Sequence, residues 1–219
     1  MSEIEIEAID YFNEHKKRFL ESYTEGIVAS EEKTVVFTAG MSGVGKTEFA
    51  IYLKEEIENI LHIDTDEIRK FFAPVGYDGQ NSDRFQKVSS RGFSELFNYA
   101  MKQHYSMILD SNLASLGQAK QNIERLLKRG YNIQIVYLYN HPDVCFEYAT
   151  AREVVTHRRV PKDVFIRSNE NSYKTILEIK ALFKEQVTLN FIDKRDDSYY
   201  QEIDELFLKE KIGENFETK

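Results

Sequence analysis

The segment Gly40-Met41-Ser42-Gly43-Val44-Gly45-Lys46-Thr47 constrains the fold of this chain more than any other. It matches G-x-x-x-x-G-K-[ST] without a mismatch, between the apolar run Val35-Val36-Phe37-Thr38 and a helical stretch. A strand, a glycine-rich turn and a helix N-terminus in that order make a phosphate cradle. The glycines let the backbone turn tightly enough to aim its N–H groups inward, and the helix end adds positive potential. On this reading Gly40 to Thr47 bind nucleotide phosphates, Lys46 reaches the β- and γ-phosphates of ATP, and the Thr47 hydroxyl ligates Mg²⁺. Chance alone produces such a match in some glycine-rich turns. Here the flanking strand and helix argue against that. The loop does not by itself separate a kinase from a nucleotide-hydrolysing switch.

The rest of the chain alternates short β-rich runs with longer helical ones, the pattern of a parallel sheet covered by helices. Thr34–Ala39, Ile60–Ile63, Ser106–Asp110, Ile133–Tyr139 and Val187–Ile192 are nearly continuous apolar runs, as expected of strands buried on both faces. Helical spacing marks Glu3 to about Ile27, Thr47–Glu58, Ser82–Gln103, Leu116–Arg129, Pro142–Thr156, Glu170–Glu185 and Ser198–Glu210. The fold class expected is therefore α/β: a P-loop kinase-like three-layer sandwich with a five-stranded parallel sheet, an N-terminal helix and a helical cap and lid. All 219 residues fit one domain. Within it, residues 1–32 form an N-terminal helical extension, 71–105 an acceptor-cap insertion and 150–165 a lid. The last residues, Gly213 to Lys219, read as a loose tail.

Composition removes several classes of function. A net charge of −8 suits non-specific nucleic-acid binding poorly, because displacing backbone counterions needs cations. No window approaches the ~20 apolar residues of a membrane span. One cysteine, Cys145, allows neither an internal disulfide nor a cysteine-rich metal site. The acidic start, with Glu3, Glu5, Glu7 and Asp10, is unlike a signal sequence, so the expected location is the cytoplasm.

In a doubly wound sheet the carboxyl ends of neighbouring strands open onto one crevice. Strand two runs into Ile63-Asp64-Thr65-Asp66-Glu67-Ile68-Arg69. Asp64 or Asp66 can cap the short helix that follows, since aspartate is a favoured N-cap. The other acid, with Asp66 the stronger candidate, can take the proton of an acceptor hydroxyl. Strand three ends in Asp110-Ser111-Asn112, which places Asp110 near the metal or, with Asn112, on acceptor hydroxyls; a plain strand-end turn is the alternative. Arg152, His157, Arg158, Arg159 and Lys162 bunch after strand four. Cations are favourable at any helix C-terminus. Arginines on a closing lid would also neutralise charge on a transferring phosphoryl group.

Taken in order, these segments resemble the zeta-toxin family of P-loop kinases over about Thr34 to Lys194. The resemblance rests on Gly40–Thr47, Ile63-Asp64-Thr65-Asp66, Asp110-Ser111-Asn112, Ala151-Arg152-Glu153 and Arg158-Arg159-Val160-Pro161. It implies ATP-dependent phosphorylation of a hydroxyl on a nucleotide sugar, typically UDP-N-acetylglucosamine. It gives the base's role to Asp66, phosphate contact to Lys46, and the lid roles to Arg152 and either Arg158 or Arg159. It also implies an antitoxin as a possible protein partner. Where plasmid-type members tend to show Glu-Gly-Thr, this chain has Asp110-Ser111-Asn112. Two other readings stay open: a polynucleotide or nucleoside kinase on the same scaffold, and an ATP-hydrolysing switch or partner-binding module.

Overall fold

The computed structural model describes residues 2–156 and 161–216. Arg158 and Arg159, both candidate lid arginines, lie outside the described residues.

Six strands form one sheet: β1 (Thr34–Ala39), β2 (Ile60–Asp64), β3 (Ser106–Asp110), β4 (Asn132–Tyr139), β5 (Val187–Asp193) and β6 (Ser198–Tyr200), in the order β2-β3-β1-β4-β5-β6. The first five are parallel, and β6 runs antiparallel to β5 at the edge. Every residue of β3 is buried, and β1 and β4 are buried along most of their length. That burial explains why these strands read as continuous apolar runs rather than alternating ones.

The helices are α1 (Glu3–Thr24), α2 (Lys46–Glu56), α3 (Thr65–Lys70), α4 (Ser82–Gln103), α5 (Leu116–Leu127), α6 (Pro142–Thr156), α7 (Lys162–Phe183) and α8 (Glu205–Ile212). A capping box at Ser2 and Glu5 starts α1, whose buried face carries Ala8, Phe12 and Phe19. These rings meet Phe71 and Phe72 from the connection after α3. The contact brings α1 against α4, where Gly92 is required: a Cβ there would lie 2.9 Å from Ile68 and 3.2 Å from Phe19. A Lys16–Glu95 ion pair of 2.7 Å closes the same seam. The insertion between β2 and β3 is thus a braced helical layer, fixed by aromatic burial worth about 2 kcal/mol per fully buried ring.

Three local expectations give way. The helix expected over Ser198–Glu210 is instead the edge strand β6 followed by α8. A tight turn, with Asp197 at φ 55° and Asp196 accepting from the Ser198 N–H at 3.0 Å, folds the chain back onto β5. Tyr200 then stacks beside Phe191, and Asp204 caps α8 by accepting from the Phe207 N–H at 2.8 Å. The helix expected from Glu170 begins at Lys162, directly after Pro161. Its first turns bury only Phe165 and Asn169, too sparse a stripe to register as periodicity. Lastly, the tail is anchored as far as Phe216, whose ring stacks on Tyr173 with centroids 4.1 Å apart and planes 9° apart.

Candidate active site

The carboxyl ends of β1, β2, β3 and β4 surround an open cleft of about 1130 Å³, lined by the phosphate loop, Asp64, Asp66, Arg69, Gln86, Asp110, Asn112 and Arg152.

Two close approaches set the loop's shape. At Gly40 (φ 133°) a Cβ would lie 2.3 Å from the carbonyl oxygen of Leu138 on β4; at Gly43 (φ 80°) it would lie 2.2 Å from the carbonyl oxygen of Cys145 on α6. The loop is therefore wedged between β4 and α6, and any side chain at either position would push it open. Met41 and Val44 anchor it by pointing into the core. Lys46, at the start of α2, turns back so that its Nζ donates to the Met41 carbonyl at 2.8 Å. Burial pulls this amine down to about 8, against the opposing pull of Asp110. Anionic phosphate beside it would reverse that penalty.

Asp110 ends β3 in register with Thr38 of β1 and Asp64 of β2. One carboxylate oxygen accepts from the Thr38 hydroxyl and the other from the Thr47 hydroxyl, each at 2.8 Å. The group is thus fixed against the first turn of α2. Asn112, two residues on, donates to the Ser168 hydroxyl of α7 at 2.7 Å.

The acids after β2 have separate surroundings. Asp64 caps α3 by accepting from the Asp66 N–H at 2.9 Å. Burial, reinforced by neighbouring carboxylates, pushes it up to about 7. Asp66 faces the cleft: its Oδ1 accepts from Arg69 Nη1, and its Oδ2 lies 3.3 Å from Arg152 Nη2 on α6. Arg152 thus meets the acid that follows β2 across 86 residues of sequence.

Arg69, Gln86 and Ser168 carried no expectation from the sequence. Arg69 stands one turn after Asp66, a spacing that favours side-chain contact and could have found it. No local pattern points to Gln86, which reaches the cleft only because α4 packs on α3.

No group of three or more His, Cys, Asp or Glu side chains gathers among the described residues, which leaves no all-protein metal cage there. The Thr47 hydroxyl and the Asp110 carboxylate fit Mg²⁺ in the other usual manner, as one or two hard oxygens beside a phosphate site. No helix among the described residues is long and apolar enough to cross a membrane.

The Zeta toxin family model matches residues 19–204. The fold is similar to a structure from the PezAT chromosomal toxin–antitoxin system of Streptococcus pneumoniae, with a TM-score of 0.67 and 20% identity, covering 92% of this chain and 81% of that one. It is also similar to the AvrRxo1-ORF1:AvrRxo1-ORF2 complex with ATP (TM-score 0.66, 15% identity, 95% and 71% covered). A putative kinase from Chloroflexus aurantiacus matches less closely, at a TM-score of 0.52 and 15% identity over 63% of this chain and 79% of that one. No curated protein matches the chain.

Proposed function

The chain belongs to the zeta toxin family, and from that membership and the geometry of the cleft we propose that it is an ATP-dependent kinase acting on a hydroxyl of a nucleotide sugar such as UDP-N-acetylglucosamine. The observation that carries this reading is the position of Asp66. It opens onto the same cleft as the phosphate loop, between Arg69 behind it and Arg152 across from it. A phosphate loop needs no such acid merely to bind nucleotide. A kinase needs one to align and deprotonate the acceptor.

In this reading the loop amides from Gly40 to Thr47 hold the phosphate chain of ATP, and Lys46 exchanges its contact with Met41 for a phosphate oxygen. Thr47 and Asp110 supply the protein oxygens for Mg²⁺, which neutralises phosphate charge when bound. Asp66 accepts the hydroxyl proton as the hydroxyl oxygen bonds to the γ-phosphorus of ATP, and the bond from that phosphorus to the β,γ-bridging oxygen breaks to release ADP. Arg152, with Arg158 or Arg159, offsets charge on the transferring group and excludes water. Asn112 contributes to the acceptor pocket through its link to Ser168. The reaction draws on cytoplasmic ATP and nucleotide sugar, in line with the location expected from the sequence. The similar PezAT structure comes from a toxin–antitoxin system, and an antitoxin is the protein partner proposed here.

The test is incubation with γ-labelled ATP and a panel of nucleotide sugars, nucleosides and short oligonucleotides. Label should appear in a nucleotide sugar, and a Lys46→Ala variant should show none. Label confined to oligonucleotides would move the acceptor to nucleic acid. Release of free phosphate with every acceptor left unlabelled would contradict the kinase reading altogether.

A further inference from the structure

The Arg69 side chain is buried, with 2% of its surface exposed. It projects from α3 one turn beyond Asp66. Its Nη1 donates to Asp66 Oδ1, and its Nη2 donates to Gln86 Oε1 on α4. Gln86 in turn donates from Nε2 to the Ser90 hydroxyl at 3.0 Å. The third edge of the guanidinium, Nε, finds no acceptor. A cation taken out of water and left partly unsatisfied is expensive, so its placement is set by the contacts it does make.

The two oxygens of Asp66 therefore have partners of different character. Oδ1 is held by a buried guanidinium that is itself held from the cap helix. Oδ2 meets Arg152, whose side chain is 45% exposed. An exposed ion pair is worth little and exchanges readily, whereas a buried, forked one fixes geometry.

We propose that Arg69 is a positioning residue for Asp66: it clamps Oδ1, sets the rotation of the carboxylate and so presents Oδ2 to the cleft. Gln86 ties that setting to α4, so the cap insertion acts on the base through one side chain. This rests on Asp66 being the base. A lysine at position 69 keeps the charge, but a single ammonium lacks the planar fork that meets Asp66 and Gln86 together.

The experiment is steady-state kinetics of the full chain with ATP and UDP-N-acetylglucosamine, on Asp66→Asn, Arg69→Lys, Arg69→Met, Gln86→Leu and the Asp66→Asn/Arg69→Lys pair. Calorimetric ATP binding and thermal midpoints serve as controls. Arg69→Lys should lower kcat on the order of 10²-fold, the scale of a misplaced catalytic group. Its ATP affinity should stay within about twofold, because the nucleotide binds elsewhere in the cleft. Gln86→Leu should lower kcat by about tenfold. In the Asp66→Asn background, Arg69→Lys should cost nothing more, since both changes act through one carboxylate. Losses that multiply in the double variant, or a wild-type kcat in Arg69→Lys, overturn the proposal. If Arg69→Met fails to fold, the lysine variant still decides. Wild-type turnover in Asp66→Asn removes the base assignment itself and this inference with it, whereas a silent Asp66→Asn beside a fully active Arg69→Lys removes this inference alone.

Discussion

The Thr47 hydroxyl donates to Asp110 at 2.8 Å, joining the first turn of α2 to the end of β3 across 63 residues of sequence. Because the Thr38 hydroxyl holds the other oxygen of Asp110, the carboxylate keeps one orientation at the mouth of the phosphate loop. In the proposed kinase the two residues would serve as a pair of hard-oxygen donors for Mg²⁺ beside the phosphate chain of ATP. Asp110→Asn should therefore raise the Mg²⁺ concentration needed for half-maximal phosphotransfer by about tenfold, with a smaller change in ATP affinity at saturating metal. A Mg²⁺ titration of labelled-phosphate transfer checks this. An unchanged requirement would assign Asp110 to the acceptor instead.

Gly43 offers a test of the loop that does not touch its charged groups. Alanine there adds one methyl group, but places it against the Cys145 carbonyl at a φ of 80°. The loop must then leave α6. The expected result is loss of ATP binding by calorimetry, while circular dichroism still reports the sheet and helices. The same change at Gly76, where no atom lies within 4 Å of the added Cβ, should leave ATP binding intact.

Asp64 makes a prediction about pH. Its folded value of about 7 lies above the 3.8 of an unburied carboxyl. Between those values the native state holds a proton that the unfolded chain has released, so this residue's contribution favours folding below about pH 4 and is lost as pH rises through about 7. Asn is an equally good N-cap without the titration. Asp64→Asn should thus flatten the dependence of thermal stability on pH between about 4 and 7. At pH 8 the variant should be the more stable by on the order of 1–3 kcal/mol. Thermal melts of both proteins across that range are the check; parallel curves would show that Asp64 ionises freely in the fold.

Phe216 should matter although it stands near the end of the chain. Its ring lies on Tyr173 of α7 and against Tyr139 of β4, pinning the segment after α8 onto the sheet face. Phe216→Ala should cost about 2 kcal/mol in chemical denaturation, given aromatic contact on top of partial burial. Phosphotransfer per folded molecule should be unchanged, because the ring does not line the cleft.

The parts of this fold that were legible in the sequence are those where one residue type answers one physical demand. A strand buried on both faces must be apolar throughout, so the five parallel strands stand out. A backbone that must pass a carbonyl at the distance of Gly40 or Gly43 tolerates no side chain, so the loop stands out too. The edge strand β6 was not legible, because its three residues pair along one side only and Tyr199 and Tyr200 suit a helix stripe as well. Nor were the Arg69–Gln86 contact and the anchoring of Phe216, since each depends on helices that are distant in sequence and meet only through packing. The pairing of Asp66 with Arg152 was half legible. Both residues were candidates on local grounds, and their meeting depended on where α6 lies against the cleft.

The most direct measurement of the central claim is mass spectrometry of UDP-N-acetylglucosamine incubated with the protein, ATP and Mg²⁺. A product heavier by one phosphate is expected, formed in proportion to ADP, and formed at least about 10²-fold more slowly with Asp66→Asn even though that variant still binds ATP. ADP produced while the sugar nucleotide stays at its original mass, or equal product from Asp66→Asn, would contradict it.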